Sequence, residues 1–155
     1  MRMLLGRNDV NPNKPDLDGR TPLSLAARNG YLDGTTSTPM ILIDGDTPLS
    51  VAAKRGHEGV VKTLLRRDGV DPNKQIWDGQ TPLWWAAGSG YEGVVKMLLG
   101  RSDIDPDKPD WYGWTPLVEA SNVGNKGVVK LLLRRDDVNP DKPDKCGNTP
   151  LLCCF

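Results

Sequence analysis

A Thr-Pro-Leu triplet recurs along the chain at a fixed spacing, and this period restricts the fold more than any other feature of the sequence. The triplets begin at Thr21, Thr47, Thr81, Thr115 and Thr149, and each lies two residues after a glycine. The first interval is 26 residues and the next three are all 34 residues. A constant period of this size predicts stacked supersecondary units rather than one globular core.

The clearest copy, residues 78–99, predicts a short helix A directly after a turn. Gly79 suits a turn that needs a positive φ angle. The Thr81 hydroxyl is a favourable N-cap, and Pro82 fits the first helical position because its missing N–H would have no partner there. We therefore predict helix A over Leu83–Ala87, ended by the Gly-Ser-Gly sequence at 88–90.

A second helix, helix B, is predicted near 58–66, 92–100 and 126–134. Glu92 favours a helix start because an acidic group there complements the helix dipole. Apolar residues then form one stripe that a single helix pair cannot bury, so it must pack on the next unit. The stripe comprises Val60, Val61, Leu64 and Leu65, then Val94, Val95, Leu98 and Leu99, then Val128, Val129, Leu132 and Leu133.

The segment 101–110 that follows helix B holds two prolines and four aspartates, which predicts an extended loop. Tetratricopeptide repeats share the 34-residue period but are helical nearly throughout, so the loop argues against them. The pattern Gly79-x-Thr81-Pro82-Leu83-x-x-Ala86-Ala87-x-x-Gly90, followed by Val94-Val95-x-x-Leu98-Leu99, resembles the ankyrin repeat. The loop is one residue longer than in that family, and the family's histidine after Thr-Pro-Leu is absent.

This resemblance implies an all-α, ankyrin-type helix-turn-helix solenoid with projecting turns and an irregular second unit. We expect residues 1–155 to form a single array. Its approximate units are a partial unit 1–16, units 17–41, 42–75, 76–109 and 110–143, and a partial unit 144–155. In the second unit, residues 31–46 lack a helix B and predict an irregular connector. The ends carry no polar capping repeat, which suggests a piece of a longer array.

Composition excludes several classes of function. The chain has 20 basic and 20 acidic side chains, so we expect neither nucleic-acid nor membrane binding, both of which favour a positive excess. No stretch of 18 apolar residues predicts a transmembrane helix. The three cysteines are clustered at the end and cannot all pair, which favours an intracellular protein, in the cytoplasm or nucleus.

The sequence predicts no enzyme and no cofactor. Its one histidine, His57, has no nucleophile or orienting partner in the repeat pattern and is best explained as a brace between loops. Asp103, Asp105 and Asp107 resemble the start of a calcium loop. However, the glycine and glutamate that such a loop requires are replaced by Lys108 and Trp114, so calcium binding is a lesser alternative.

Aromatic residues in the glycine-containing turns point to a binding surface. By resemblance to ankyrin repeats, the turn and the end of helix A form the contact face for an unidentified protein partner. The predicted partner-binding residues are Trp77, Asp78, Gln80, Trp111, Tyr112, Trp114, Arg20, Asp46, Arg55 and Asn122. Aromatic groups among polar ones are typical of binding hot spots.

Two alternatives remain open for these aromatic residues and for the chain. The rings could instead stack between adjacent turns and stiffen the array. Trp84 and Trp85, on helix A, are predicted to be structural. The alternative function is a structural spacer that self-associates through its uncapped ends.

Overall fold

A computed structural model describes residues 46–76 and 78–150, and over these ranges the chain consists of helices joined by turns, with no strand. The described helices are α1 (Pro48–Lys54), α2 (Glu58–Leu65), α3 (Pro82–Gly88), α4 (Glu92–Leu99), α5 (Pro116–Val123) and α6 (Lys126–Leu132). They form three consecutive pairs, in which α1, α3 and α5 are the A helices and α2, α4 and α6 the B helices. The predicted all-α helical repeat is confirmed.

Each helix A begins at the threonine of the triplet, as predicted. The Thr81 hydroxyl accepts a hydrogen bond from the Trp84 backbone N–H at 3.1 Å, and Thr115 does the same for Val118 at 3.3 Å. In α1 the bond is reciprocal, because the Ser50 hydroxyl also accepts from the Thr47 N–H at 2.8 Å. Proline occupies the first turn of all three A helices.

The units stack through two layers of helices. Helix α3 packs between α1 and α5, and α4 packs between α2 and α6, while each A helix also contacts its own B helix. The predicted apolar stripe lies in the resulting core, where Val61, Val94, Val95 and Leu98 are fully buried. The alanines of the A helices, such as Ala86, are fully buried as well and allow the helices to approach closely.

The prediction for the end of the stripe is only partly correct. Leu65 and Leu99 are partly buried against the core, but Leu133, their equivalent, is 50% exposed. Helix α6 also ends two residues before the predicted position 134. The reason is local: no further helix B follows α6 in the described residues, so no neighbouring helix covers Leu133, although Leu132 just before it is fully buried.

Arginines link helices α2 and α4 to the loop of the next unit. Arg101 donates through Nη1 to the carbonyl of Leu65 at 2.6 Å and forms a two-pronged ion pair with Asp103. Arg135 repeats both contacts with Leu99 and Asp137. The guanidinium hydrogen bond holds the pKa of Asp103 below its usual value. Helices α2 and α4 thus receive their C-terminal caps from the following unit.

We call the turn that carries Gly79, Gly113 or Gly147 the tip of its unit. Adjacent tips are hydrogen-bonded to one another through the backbone: the Trp111 N–H donates to the Asp78 carbonyl at 2.9 Å, and the Lys145 N–H to the Tyr112 carbonyl at 3.0 Å. Gly113 has a φ of +89°, and a Cβ there would lie 2.7 Å from the Lys145 nitrogen. Glycine is therefore required for the close approach of the tips.

Several predictions lie outside the described residues. These are the partial unit 1–16 and the end of 144–155, the irregular unit 17–41 with its connector, and the site residues Arg20 and Trp77. For Arg20, and for Trp77, which occupies the position equivalent to Trp111, the binding role stays a prediction.

A pair of glycine variants tests the contact between tips. Gly113→Ala should lower the free energy of unfolding by at least about 1 kcal/mol more than Gly124→Ala, measured by urea denaturation. Both residues have positive φ angles, +89° and +81°, so alanine is strained in both. Only at Gly113 does the added methyl group also meet backbone atoms, since nothing lies within 4 Å of a Cβ at Gly124. Equal losses would show that the tips are not in close contact.

Candidate partner-binding face

An aspartate organises the tip of residues 110–143, the fourth unit when the units are counted from 17–41 and the partial unit 1–16 is left out. The Asp110 carboxylate accepts hydrogen bonds from the backbone N–H groups of Tyr112, at 2.9 Å, and Trp114, at 2.8 Å. The Asp110 N–H in turn donates to the Trp114 carbonyl. Asp144 makes the equivalent bonds to Cys146 and Asn148 in the next tip. Aspartate favours such turns because its short side chain reaches its own backbone.

The third unit builds its tip differently, because Ile76 replaces this aspartate. Its backbone bond to the Gln80 carbonyl is kept at 3.0 Å. Gln75 makes a different contact instead: its amide donates to the carbonyls of Gly79, at 2.7 Å, and Pro109, at 2.9 Å. This glutamine therefore joins the third tip to the segment that leads into the fourth tip, a contact that the sequence analysis did not identify.

The fourth tip presents two aromatic side chains to solvent. Trp111 is 59% exposed and Tyr112 is 65% exposed, although their backbone is fixed by Asp110 and by both neighbouring tips. The Trp111 ring lies beside Gly79, because a Cβ added to Gly79 would collide with the Cδ1 atom of Trp111. In the described residues the only ring pair is Trp84 with Trp85, so Trp111 stacks on no other described ring.

The other predicted site residues differ in exposure. Asp78, Arg55 and Asn122 are exposed, the first at a tip and the others near the ends of α1 and α5. Asp78 and Trp111 are brought together by their backbone hydrogen bond. Arg55 and Asn122 are kept apart from one another, because α3 packs between their helices, α1 and α5.

Three further predicted residues are only partly exposed. These are Asp46, Gln80 and Trp114. The Asp144 carboxylate of the next tip accepts from the Asn148 side chain at 3.0 Å. This bond keeps the pKa of Asp144 below its usual value, with a smaller contribution from the nearby Trp114 side chain. Trp114 thus lies close to the fifth unit as well as to the candidate face.

The two helix A tryptophans have different surroundings. Trp84 is buried, in agreement with its predicted structural role. Trp85 is partly exposed and meets the Trp84 ring edge-on, with centroids 5.2 Å apart. The Lys54 ammonium of the preceding unit lies 3.6 Å from the centroid of the Trp85 ring, which is a cation–π contact between units.

Glu119 is a residue of this face that the sequence analysis missed. It lies on α5 at the position equivalent to Trp85 and Val51, and its carboxylate lies beside Gly88 of α3. Burial, together with the smaller effect of the Asp110 charge, raises the pKa of Glu119 above its usual value. Aligning the repeats would have revealed it, since an acid replaces residues that are apolar in the two preceding units.

The acidic loops use their carboxylates within the protein. Asp103 pairs with Arg101, while Asp105 accepts from the Asp107 N–H at 3.1 Å as an ordinary turn residue. Asp107 accepts from the Asn139 N–H at 2.7 Å and so joins two consecutive loops. No group of three or more potential metal ligands occurs in residues 46–76 and 78–150.

Asn73 and Asp107 occupy equivalent positions but do not satisfy the same contacts. Asn73 accepts from the Asp105 N–H at 2.8 Å and donates to the Asp103 carbonyl at 2.6 Å. Asp107 makes the equivalent acceptor bond, yet its buried Oδ1 atom has no partner among the described residues, because a carboxylate cannot donate. Burial accordingly raises the pKa of Asp107.

Comparison with known families agrees with this architecture. Residues 33–110 match a family described as ankyrin repeats in three copies, and residues 112–145 match a further ankyrin repeat. No curated protein matches the chain. Across the described part of the chain, every helix is too short or too polar to cross a membrane.

Exchanging Asn73 and Asp107 tests whether the Asp107 Oδ1 atom without a partner lowers stability. Asp107→Asn should raise the free energy of unfolding by about 1 kcal/mol at pH 7, because the new amide can donate as Asn73 does. Asn73→Asp should lower it by a similar amount. Urea denaturation of both variants measures the effect.

The gain from Asp107→Asn should also depend on pH. A raised pKa in the folded state means that the wild type loses stability as the pH rises through that value. The gain should therefore be full at pH 7 and shrink as the pH falls toward about 4, the pKa of an unperturbed aspartate. A loss of stability in Asp107→Asn at pH 7 would show that an amide at this position does not make the contacts that Asn73 makes.

Proposed function

The chain belongs to the ankyrin-repeat family, and on this premise we propose that it recognises a protein partner through the tips and the ends of its A helices. Ankyrin repeats are generally protein–protein interaction modules and generally non-catalytic. The proposed contact residues are those predicted from the sequence, centred on the third and fourth tips, with Glu119 added. The proposed role is that of a scaffold, with a partner of as yet unknown identity.

The observation that carries this proposal is the exposure of Trp111 and Tyr112 on a fixed backbone. Aromatic side chains supply large contact areas and lose little conformational freedom on binding. Holding them on a rigid turn before binding lowers the entropic cost of association further. Two exposed rings in one tip, with charged Asp78 and Lys145 in the adjacent tips, match the mixture of aromatic and polar groups found at interface centres.

The balance of charge supports a protein partner over a nucleic acid or an anionic membrane. Both of those ligands attract proteins through an excess of positive charge, whereas this chain has equal numbers of acidic and basic groups. An intracellular location, in the cytoplasm or the nucleus, is part of the same proposal. It fits a chain with three cysteines clustered near its end.

A second candidate is a spacer that self-associates through its ends. The observation that favours it is Leu133, half exposed at the end of α6. A second molecule of this chain could cover the exposed Leu133 side chain. This candidate predicts a mass that rises with protein concentration.

Paired variants separate the two candidates. Trp111→Ala combined with Tyr112→Ala should reduce recovery of specific partners in a quantitative pull-down by at least about tenfold, since hot-spot aromatics contribute about 2 kcal/mol or more each. The helical circular dichroism should be unchanged, because neither ring is part of the core.

Leu133→Ala is the matched control, because it removes an exposed apolar side chain away from the tips. It should leave partner recovery intact. Recovery of the same proteins at the same level by the double aromatic variant would contradict the proposal. A concentration-dependent mass in light scattering, lost in Leu133→Ala, would favour the spacer instead.

A further inference from the structure

The cation–π contact between Lys54 and Trp85 has no counterpart between the next two units. Position 88 is equivalent to position 54, and position 119 is equivalent to position 85. In the first pair a lysine on α1 covers a tryptophan on α3. In the second pair the residue on α3 is Gly88 and the residue on α5 is Glu119, whose Oε1 would lie 2.8 Å from a Cβ at Gly88. The Glu119 carboxylate therefore packs over Gly88, at the position where the preceding unit supplies a cation.

Glu119 has no compensating group in the described part of the chain. No hydrogen bond or ion pair involves its carboxylate there, and the charged group that influences it, Asp110, is of the same sign. Its side chain is only partly exposed. A half-buried carboxylate without a donor destabilises the free protein, because burial removes hydration that nothing replaces.

We propose that Glu119, where it packs over Gly88, anchors an arginine or lysine side chain of the protein partner. This inference rests on the proposed function and specifies the chemistry of its partner. Glu119 lies between two predicted contact regions. Along the chain, Asp110 of the fourth tip comes before Glu119, and Asn122 comes after it on the same helix, α5.

Charge complementarity selects this occupant. A cation restores the interactions that the carboxylate lost on burial, whereas an acidic or apolar side chain would leave it unpaired. The small size of Gly88 matters because any side chain there would displace the Glu119 carboxylate: a Cβ at Gly88 would lie 2.8 Å from its Oε1 atom.

The test uses the full chain and a displayed library of random peptides as the probe. Peptides are selected on the wild type, with counter-selection against the Trp111→Ala, Tyr112→Ala variant. We expect the selected peptides to share an arginine or lysine. Their affinity should fall at least about tenfold on Glu119→Gln, the effect expected for a charge-assisted hydrogen bond. Glu92→Gln, on helix B and paired with Lys96, is the matched control and should leave affinity unchanged.

Stability of the free chain provides an independent readout. Glu119→Gln should raise the melting temperature while it lowers affinity, because it removes a carboxylate that only the partner compensates. A residue with a purely structural role would lower both. A lower melting temperature in Glu119→Gln would overturn the inference.

An internal cation offers a second test. Gly88→Lys should supply the charge from within the chain, raise the melting temperature and reduce affinity for the selected peptides at least about tenfold. Gly88→Ala also displaces the Glu119 carboxylate but adds no charge, so it should lower the affinity less than Gly88→Lys does.

The outcomes also separate this inference from the proposed function. Peptides that depend on Trp111 and Tyr112 but bind Glu119→Gln as well as wild type would overturn the inference and leave the proposed function standing. Failure to select any peptide that depends on the two aromatic residues would contradict both.

Discussion

The structure depends on burying one apolar stripe per unit against the stripes of its neighbours. Val61, Val95 and Val128 belong to three different B helices, yet all are part of one continuous core. Burial of such side chains contributes about 1.5–3 kcal/mol each, and a single short helix pair offers no surface that could cover them. The units therefore fold only as neighbours, and everything on the tips is positioned by that stacking.

Because stacking places equivalent residues in equivalent surroundings, differences between units are informative. Asn73 satisfies two contacts where Asp107 satisfies one, and Lys54 supplies a cation to its neighbour where Gly88 supplies none. In both comparisons the repeat itself serves as an internal reference for the missing interaction. The first difference lies in a loop between units and bears on stability, whereas the second lies on the candidate face and bears on binding.

Much of the fold was predictable from the sequence, because period, caps and apolar stripe all act locally. Thr81 and Glu92 mark helix starts that the structure confirms. The contacts between units were not predictable in the same way. The bond from Arg101 to the Leu65 carbonyl and the unpaired state of Glu119 depend on which side chains of adjacent units face each other. The exposure of Trp111, whose ring lies beside Gly79, likewise depends on how adjacent tips pack, which the sequence alone does not specify.

Amide hydrogen exchange at Trp111 and Lys145 tests the central claim most directly, because these two N–H groups bridge adjacent tips. If stacking of the units fixes the tips as one row, both amides should be protected to nearly the same degree as those inside α4 and α5. Exchange at the rate of an unstructured chain, with the helices still protected, would show that the tips move independently. A prepositioned binding face would then be ruled out.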